Sequence, residues 1–246
     1  FRVIFDQLDP LIQQRTGSSL RHLLDGGSTH LRQNNNDGLL TYMVEYLTCK
    51  LWIEYGLKPD LLLAEGIGEY VAACLSEQWA LEEALDLVCA LDSKQTSDDI
   101  FDTAQRILNQ IKPSESAMQI ISAKSGNTLS TEELLGHRDW WSGPGSPIAR
   151  KDISCLLEKK NTYALFVFDE NVDFSALYEE GMNLIHLIAT EKDSRTTFLS
   201  NLTFLHLKGK KIRWDKLYKS LSPSKQILPT YPFQRKKIWA DFGALS

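Results

Sequence analysis

The sequence is poor in sulfur and has no long apolar run. Its 246 residues include 4 cysteines and 3 methionines. The cysteines stand at Cys49, Cys74, Cys89 and Cys155, and no two are spaced as C-x-x-C, so neither a zinc site nor a redox dithiol is indicated. Cys49, Cys74 and Cys89 fall inside apolar helical patterns, where reduced buried thiols are the default, and that fits a cytoplasmic setting. No apolar run reaches the roughly 18 residues of a spanning helix, and no signal peptide is visible. Positive charge is not in excess either. The net charge of -5 argues against nucleic acid as the main partner. No internal repeat is evident.

What is present reads as a globular α/β chain. Hydrophobic residues make up 43% and charged residues 24%, enough for a sizeable core. The chain begins at "FRVIFDQLDPLI", already inside a helical pattern, which predicts a piece of something larger. That pattern predicts one helix from Phe1 to about Leu24. "DGGSTHLRQNNNDG" reads as a loop. "LLTYMVEYLTCKLWIEYG" reads as an amphipathic helix with Leu40, Met43, Val44, Leu47 and Leu51 near its apolar side and Gly56 as its C-terminal cap. Leu61, Leu62 and Leu63 form a continuous apolar run, expected of a strand covered on both faces. Two helices follow, "GEYVAACLSEQ" and "ALEEALDLVCALD", then a helix from about Ile100 to Ile111. "AMQIISAK", "TYALFVFDE" and "MNLIHLIAT" are the further candidate strands, and "DISCLLEKK" a short helix. Alternating helices and apolar strands favour a layered fold with a parallel sheet. From Thr196 a helix, a glycine turn and a proline-punctuated, aromatic-rich tail are expected.

"LLLAEGIGEYVAAC", from Leu61 to Cys74, raises the functional question. A strand, a tight glycine turn and a helix normally lift a nucleophile above an α/β sheet. Here the apex is Gly66, which has no side chain. Late in the chain, Lys208, Lys210, Lys211 and Arg213, and again Arg235, Lys236 and Lys237, form basic runs. A solvated surface is the plainer reading of both, and a phosphate or partner patch the alternative. "SGNTLS" and "SGPGS" do not fit a phosphate-binding loop, and His137 with Asp139 lacks a third metal ligand nearby.

Taken in order, several stretches resemble the acyltransferase domain of modular polyketide synthases and the linker that follows it. "LWIEYGLKPDLLLAEGIGEYVAACLSEQWALEEALDLV" resembles the segment around that family's G-H-S-x-G-E elbow. "IISAKSGNTLSTEELLGHRDWW" resembles its serine-asparagine-threonine-glycine turn and the tyrosine-tryptophan pair beyond. "TYALFVFDE" stands where the family has a strand ending in a glycine-proline-glycine turn. "LPTYPFQRKKIW" is very like the post-acyltransferase linker and is the most specific match. The resemblance implies a reduced α/β-hydrolase-like fold, the acyltransferase large subdomain with a parallel sheet, over 1–195. It implies a linker over 196–246.

The departures carry the functional expectation. In that family the elbow serine attacks an acyl thioester and a distant histidine is its base. Here Glu65 and Gly66 replace the histidine-serine pair, while Gly68 is kept. A carboxylate at Glu65 would oppose the negative charge that develops in the transition state. Cys74 and Ser76 read as ordinary helix residues rather than relocated nucleophiles. The family's carboxylate-binding arginine has no counterpart near Ala90, Leu91 and Asp92. Its ferredoxin-like subdomain is expected to be deleted near 92–100, and with it the base histidine. None of His22, His30, His137, His186 and His206 has the context of a catalytic base.

The resemblance, with these losses, implies a domain with no catalytic residue, no cofactor and no metal. It would position its neighbours in a polyketide synthase, a ketosynthase and an acyl carrier protein, or dock a carrier protein or a separate acyltransferase. Tyr231, Phe233 and Trp239 are the expected interdomain contacts, with packing on this domain's own core as the alternative. Two other readings stay open. One is an acyl or malonyl transferase, or a hydrolase, with a relocated nucleophile or with residues outside this chain. The other is a module that binds pantetheine without chemistry.

Overall fold

The computed structural model describes residues 2–25, 37–57, 59, 61–64, 66–92, 102, 105–107, 109–110, 118–122, 128–129, 164–167, 194–219, 227, 229 and 232. The chain divides into two compact units, Phe1–Arg213 and Trp214–Ser246.

The first unit opens with two helices, α1 (Arg2–Thr16) and α2 (Leu20–Asp25), where the apolar period predicts one. Local hydrogen bonds explain the break. The Gly17 amide donates to the Gln13 carbonyl at 2.9 Å, ending α1. The Leu20 amide donates to Asp9 Oδ1 at 2.6 Å, and the His22 amide to Ser19 Oγ at 3.2 Å, which caps α2. The apolar period continues across the break because Leu8, Ile12, Leu20 and Leu23 are all buried.

Helix α3 (Asp37–Glu54) is the central helix of the unit. The face it buries is broader than its aliphatic residues suggest. Leu39, Leu40, Tyr42, Met43, Tyr46, Leu47, Cys49 and Trp52 are buried, whereas Val44 is 37% exposed. The tyrosines and Trp52 therefore take the core side, and Val44 leaves it. Gly56 ends the helix as expected. With φ at 100°, its amide reaches the Ile53 carbonyl at 3.0 Å and the Leu57 amide reaches the Trp52 carbonyl at 3.1 Å.

Strand β1 (Leu61–Ala64) is buried along its whole length. It lies between β2 (Gln119–Ser122) and β4 (Ala164–Val167), parallel to both, while β3 (Thr128–Leu129) pairs antiparallel with β2. The order is β3-β2-β1-β4. The run Leu61-Leu62-Leu63 is thus the doubly covered strand that its composition implies, each leucine contributing about 2 kcal/mol by burial. Helix α4 (Ile67–Leu75) follows directly and is buried from Gly68 to Leu75. Ala72 and Ala73, both 0% exposed, let it lie close to its neighbours. Helix α5 (Leu81–Asp92) starts with half of a capping box, the Ala80 amide donating to Glu83 Oε2 at 3.1 Å, while the alanine has no side chain to return the bond. Arg15 of α1 donates to Asp86 Oδ1 of α5 at 2.6 Å. "MNLIHLIAT", "SGPGSP" and "DISCLLEKK" lie outside the described residues.

Helix α6 (Ser194–Leu207) covers the end of α3. The Phe198 ring sits 4.7 Å from Trp52 and 5.4 Å from Tyr55, and Leu202 and Leu205 are fully buried. The segment expected as linker from 196 onward therefore begins with a helix packed on α3. Beyond α6 the chain is extended, Ile212 is buried, and the Arg213 amide donates to the Tyr55 carbonyl at 2.8 Å. In the second unit, α7 (Trp214–Lys219) buries none of its residues.

Candidate functional site

The β1–α4 turn is the feature that the sequence singles out. β1 delivers the chain to Gly66, and α4 carries it away, so the turn stands at the end of the central strand. Gly66 is at φ 57° and ψ -124° and precedes the first residue of α4. Residues with a Cβ rarely take this conformation, and glycine takes it without that penalty. The Gly66 carbonyl accepts the Glu69 amide at 3.1 Å, which starts the helix. Gly66 is exposed, and no described atom lies within 4 Å of the position a Cβ would take. Among the described residues nothing would obstruct a side chain placed there. The turn thus has the geometry of a nucleophile elbow and no nucleophile at its apex. Glu65 lies outside the described residues, and Gly68 is buried within α4.

Sequence reasoning missed Glu69. It is 2% exposed, and Ser122 at the end of β2, itself 3% exposed, donates its hydroxyl to Glu69 Oε1 at 2.5 Å. This contact joins the first turn of α4 to the neighbouring strand, 53 residues away in sequence. The available signal was a carboxylate inside the apolar pattern "GEYVAAC", since an acid there needs a partner to be buried. The sequence did not say which partner.

The two nucleophile-type side chains at the far end of α4, Cys74 within it and Ser76 at its C-cap, are occupied in the interior. The Ser76 hydroxyl is buried and donates to the Ala73 carbonyl at 3.0 Å. The Cys74 thiol accepts the Tyr42 hydroxyl at 3.2 Å and lies 3.8 Å from the Ala80 carbonyl. Burial pushes the Cys74 thiol up to about 12, outweighing the Tyr42 hydrogen bond and Lys50, which act the other way. At neutral pH it is a protonated core thiol. Cys49 is also pushed up by burial, with Glu45 adding to the effect.

Among the described histidines, His22 lies on α2 and His206 on α6, both exposed and neither on the elbow elements. His30, His137, His186, Tyr231, Phe233 and Trp239 lie outside the described residues. Ala90 and Leu91 end α5 with partial exposure. Among the described residues no three His, Cys, Asp or Glu side chains group as metal ligands, and no helix is long and apolar enough to cross a membrane.

Comparison with known proteins places this geometry. No family model matches the chain. It is 27% identical over 206 residues to the spectinabilin polyketide synthase system protein NorC of Streptomyces orinoci, across 80% of this chain and 8% of that protein. It is 31% identical over 101 residues to polyketide synthase PksR of Bacillus subtilis, across 37% of this chain and 4% of that protein. The chain thus spans less than a tenth of these curated relatives. Among solved structures, the acyltransferase domain of ZmaA superposes with a TM-score of 0.69 at 17% identity, covering 93% of this chain and 73% of that one. The acyltransferase domain from the second module of the salinomycin polyketide synthase gives 0.69 at 12% identity, covering 93% and 72%. The sequence relatives are polyketide synthase proteins, and the mixed α/β fold is that of polyketide synthase acyltransferase domains.

Proposed function

We propose that this chain is a non-catalytic acyltransferase-like domain that positions its neighbours within a multidomain polyketide synthase. The observation that carries the reading is Gly66. It stands at the apex of an elbow whose open side would receive a nucleophile, and it offers none. Cys74 and Ser76, the nearby alternatives, are buried and engaged. The absence of an arginine near Ala90, Leu91 and Asp92 supports the same reading. The same reading includes the deletion of the ferredoxin-like subdomain near 92–100.

On this reading, 1–195 form the reduced acyltransferase core and 196–246 the linker, which starts by packing α6 on α3. The neighbours are a ketosynthase and an acyl carrier protein, or a separate acyltransferase, with Tyr231, Phe233 and Trp239 at the interdomain contact. The setting is cytoplasmic. A domain kept for spacing must keep its core, because an unfolded insert would expose apolar surface.

Intact-mass measurement after incubation with malonyl- or acetyl-coenzyme A tests the proposal. The expected result is the unmodified mass with both. A covalent acyl adduct on this chain would overturn it.

A further inference from the structure

We infer that the C-terminal end of α6 and the extended residues after it form a docking surface for an acidic amphipathic helix of a partner protein. The inference deepens the positioning role proposed above and rests on it. Phe204 and Leu207 are 38% and 79% exposed on the outer face of α6, opposite Leu202 and Leu205, which are buried. Lys208 follows at helical spacing and holds its ammonium 5.4 Å from the centre of the Phe204 ring. Lys210, Lys211 and Arg213 come next, and no acidic residue occurs between Asn201 and Trp214. A chain of net charge -5 therefore carries a locally basic corner around two exposed apolar side chains.

This corner is rigidly built. The Lys210 amide closes α6 on the Leu205 carbonyl at 3.0 Å, and the Arg213 amide is held by the Tyr55 carbonyl at 2.8 Å. A Cβ at Gly56 would meet the Lys211 carbonyl at 2.8 Å, so the basic segment lies directly on the end of α3. A surface fixed in this way loses little entropy on binding. Two apolar anchors rimmed by cations complement a helix whose apolar stripe is flanked by carboxylates. The exposed Phe204 and Leu207 side chains call for an apolar stripe, which a phosphate backbone does not offer, and this favours a protein partner.

The probe is a synthetic helical peptide with a leucine stripe flanked by glutamates, and its control has glutamine at those positions. Anisotropy is measured with the full 246-residue chain. The acidic peptide should bind and the control should not. Lys208→Glu with Lys211→Glu should weaken binding about tenfold, and Leu207→Ser by a similar factor, about tenfold. Arg21→Glu, on an exposed face of α2, should leave it unchanged. Unaltered urea midpoints show that the variants are folded. Three outcomes overturn the inference: no binding at high micromolar peptide, equal binding by all variants, or tighter binding of single-stranded DNA that ignores Leu207→Ser. A salt-sensitive dimer abolished by the charge reversals would instead assign the surface to a second copy and also overturn it. An acyl adduct would refute the non-catalytic reading and leave the peptide result intact, so the two failures are distinguishable.

Discussion

Two glycines with positive φ play different parts in this fold, and substitution separates them. At Gly66 the φ of 57° is the whole obstacle, because space for a Cβ is open among the described residues. Gly66→Ala should therefore cost about 1–3 kcal/mol of backbone strain. At Gly56 the φ is 100° and a Cβ would also meet the Lys211 carbonyl at 2.8 Å, which is backbone and cannot swing aside. Gly56→Ala should cost more and loosen the segment up to Arg213. Urea unfolding of the two variants checks the order, and an equal or reversed cost would show that the close approach at Gly56 is unimportant. On the non-catalytic reading, Gly66→Ser should bear the strain of Gly66→Ala without gaining malonyl transfer. Measurable transfer by that variant would sink the non-catalytic reading.

At the scale of elements, the Glu69–Ser122 contact fastens the start of α4 to the end of β2. Leaving a buried hydrogen-bonding group without its partner costs about 1–3 kcal/mol, so Glu69→Ala and Ser122→Ala should each destabilise the domain and be strongly non-additive together. Glu69→Gln keeps an acceptor for the Ser122 hydroxyl and should recover part of the loss. Additivity within about 0.5 kcal/mol in the double-mutant cycle would mean that the contact does not couple the two elements. This tie also marks the limit of what the sequence discloses. Leu61-Leu62-Leu63 announced a doubly covered strand and Gly56 a helix end, because each signal is local. The break between α1 and α2 was hidden by an apolar period that runs through it. Ser19 and Asp9 were caps in plain view, but only Gly17 hinted that one was needed. Glu69 with Ser122, and Tyr42 with Cys74, join residues 53 and 32 positions apart. No periodicity encodes such pairings. The elbow was legible because its elements adjoin in sequence, whereas its fastening to β2 was not.

At the scale of the whole unit, the same interior that holds the scaffold makes it sensitive to alkali. Tyr42, Tyr46 and Cys49 on α3 and Tyr70 and Cys74 on α4 are all pushed upward, burial being the largest cause in each case. A group whose folded pKa lies above its unfolded one binds its proton more tightly in the folded state. Its contribution is complete below the unfolded value and is lost as pH rises toward the folded one. The unfolded values are 9.0 for cysteine and 10.0 for tyrosine, and Cys74 rises to about 12, so the loss begins near 9 and continues through 12. Because the five groups lie on two core helices, and Tyr42 bonds Cys74 between them, their ionisation is resisted by the fold as a whole and its cost falls on global unfolding. The urea midpoint should hold steady from neutral pH to about 9 and then fall steeply. Replacing Cys49 and Cys74 by alanine should delay the onset toward the tyrosine value, on top of a uniform loss from the emptied space. A midpoint that stays level to about pH 11 would mean that these side chains are hydrated rather than enclosed. The α3–α4 junction would then not be the rigid centre on which a spacing role depends.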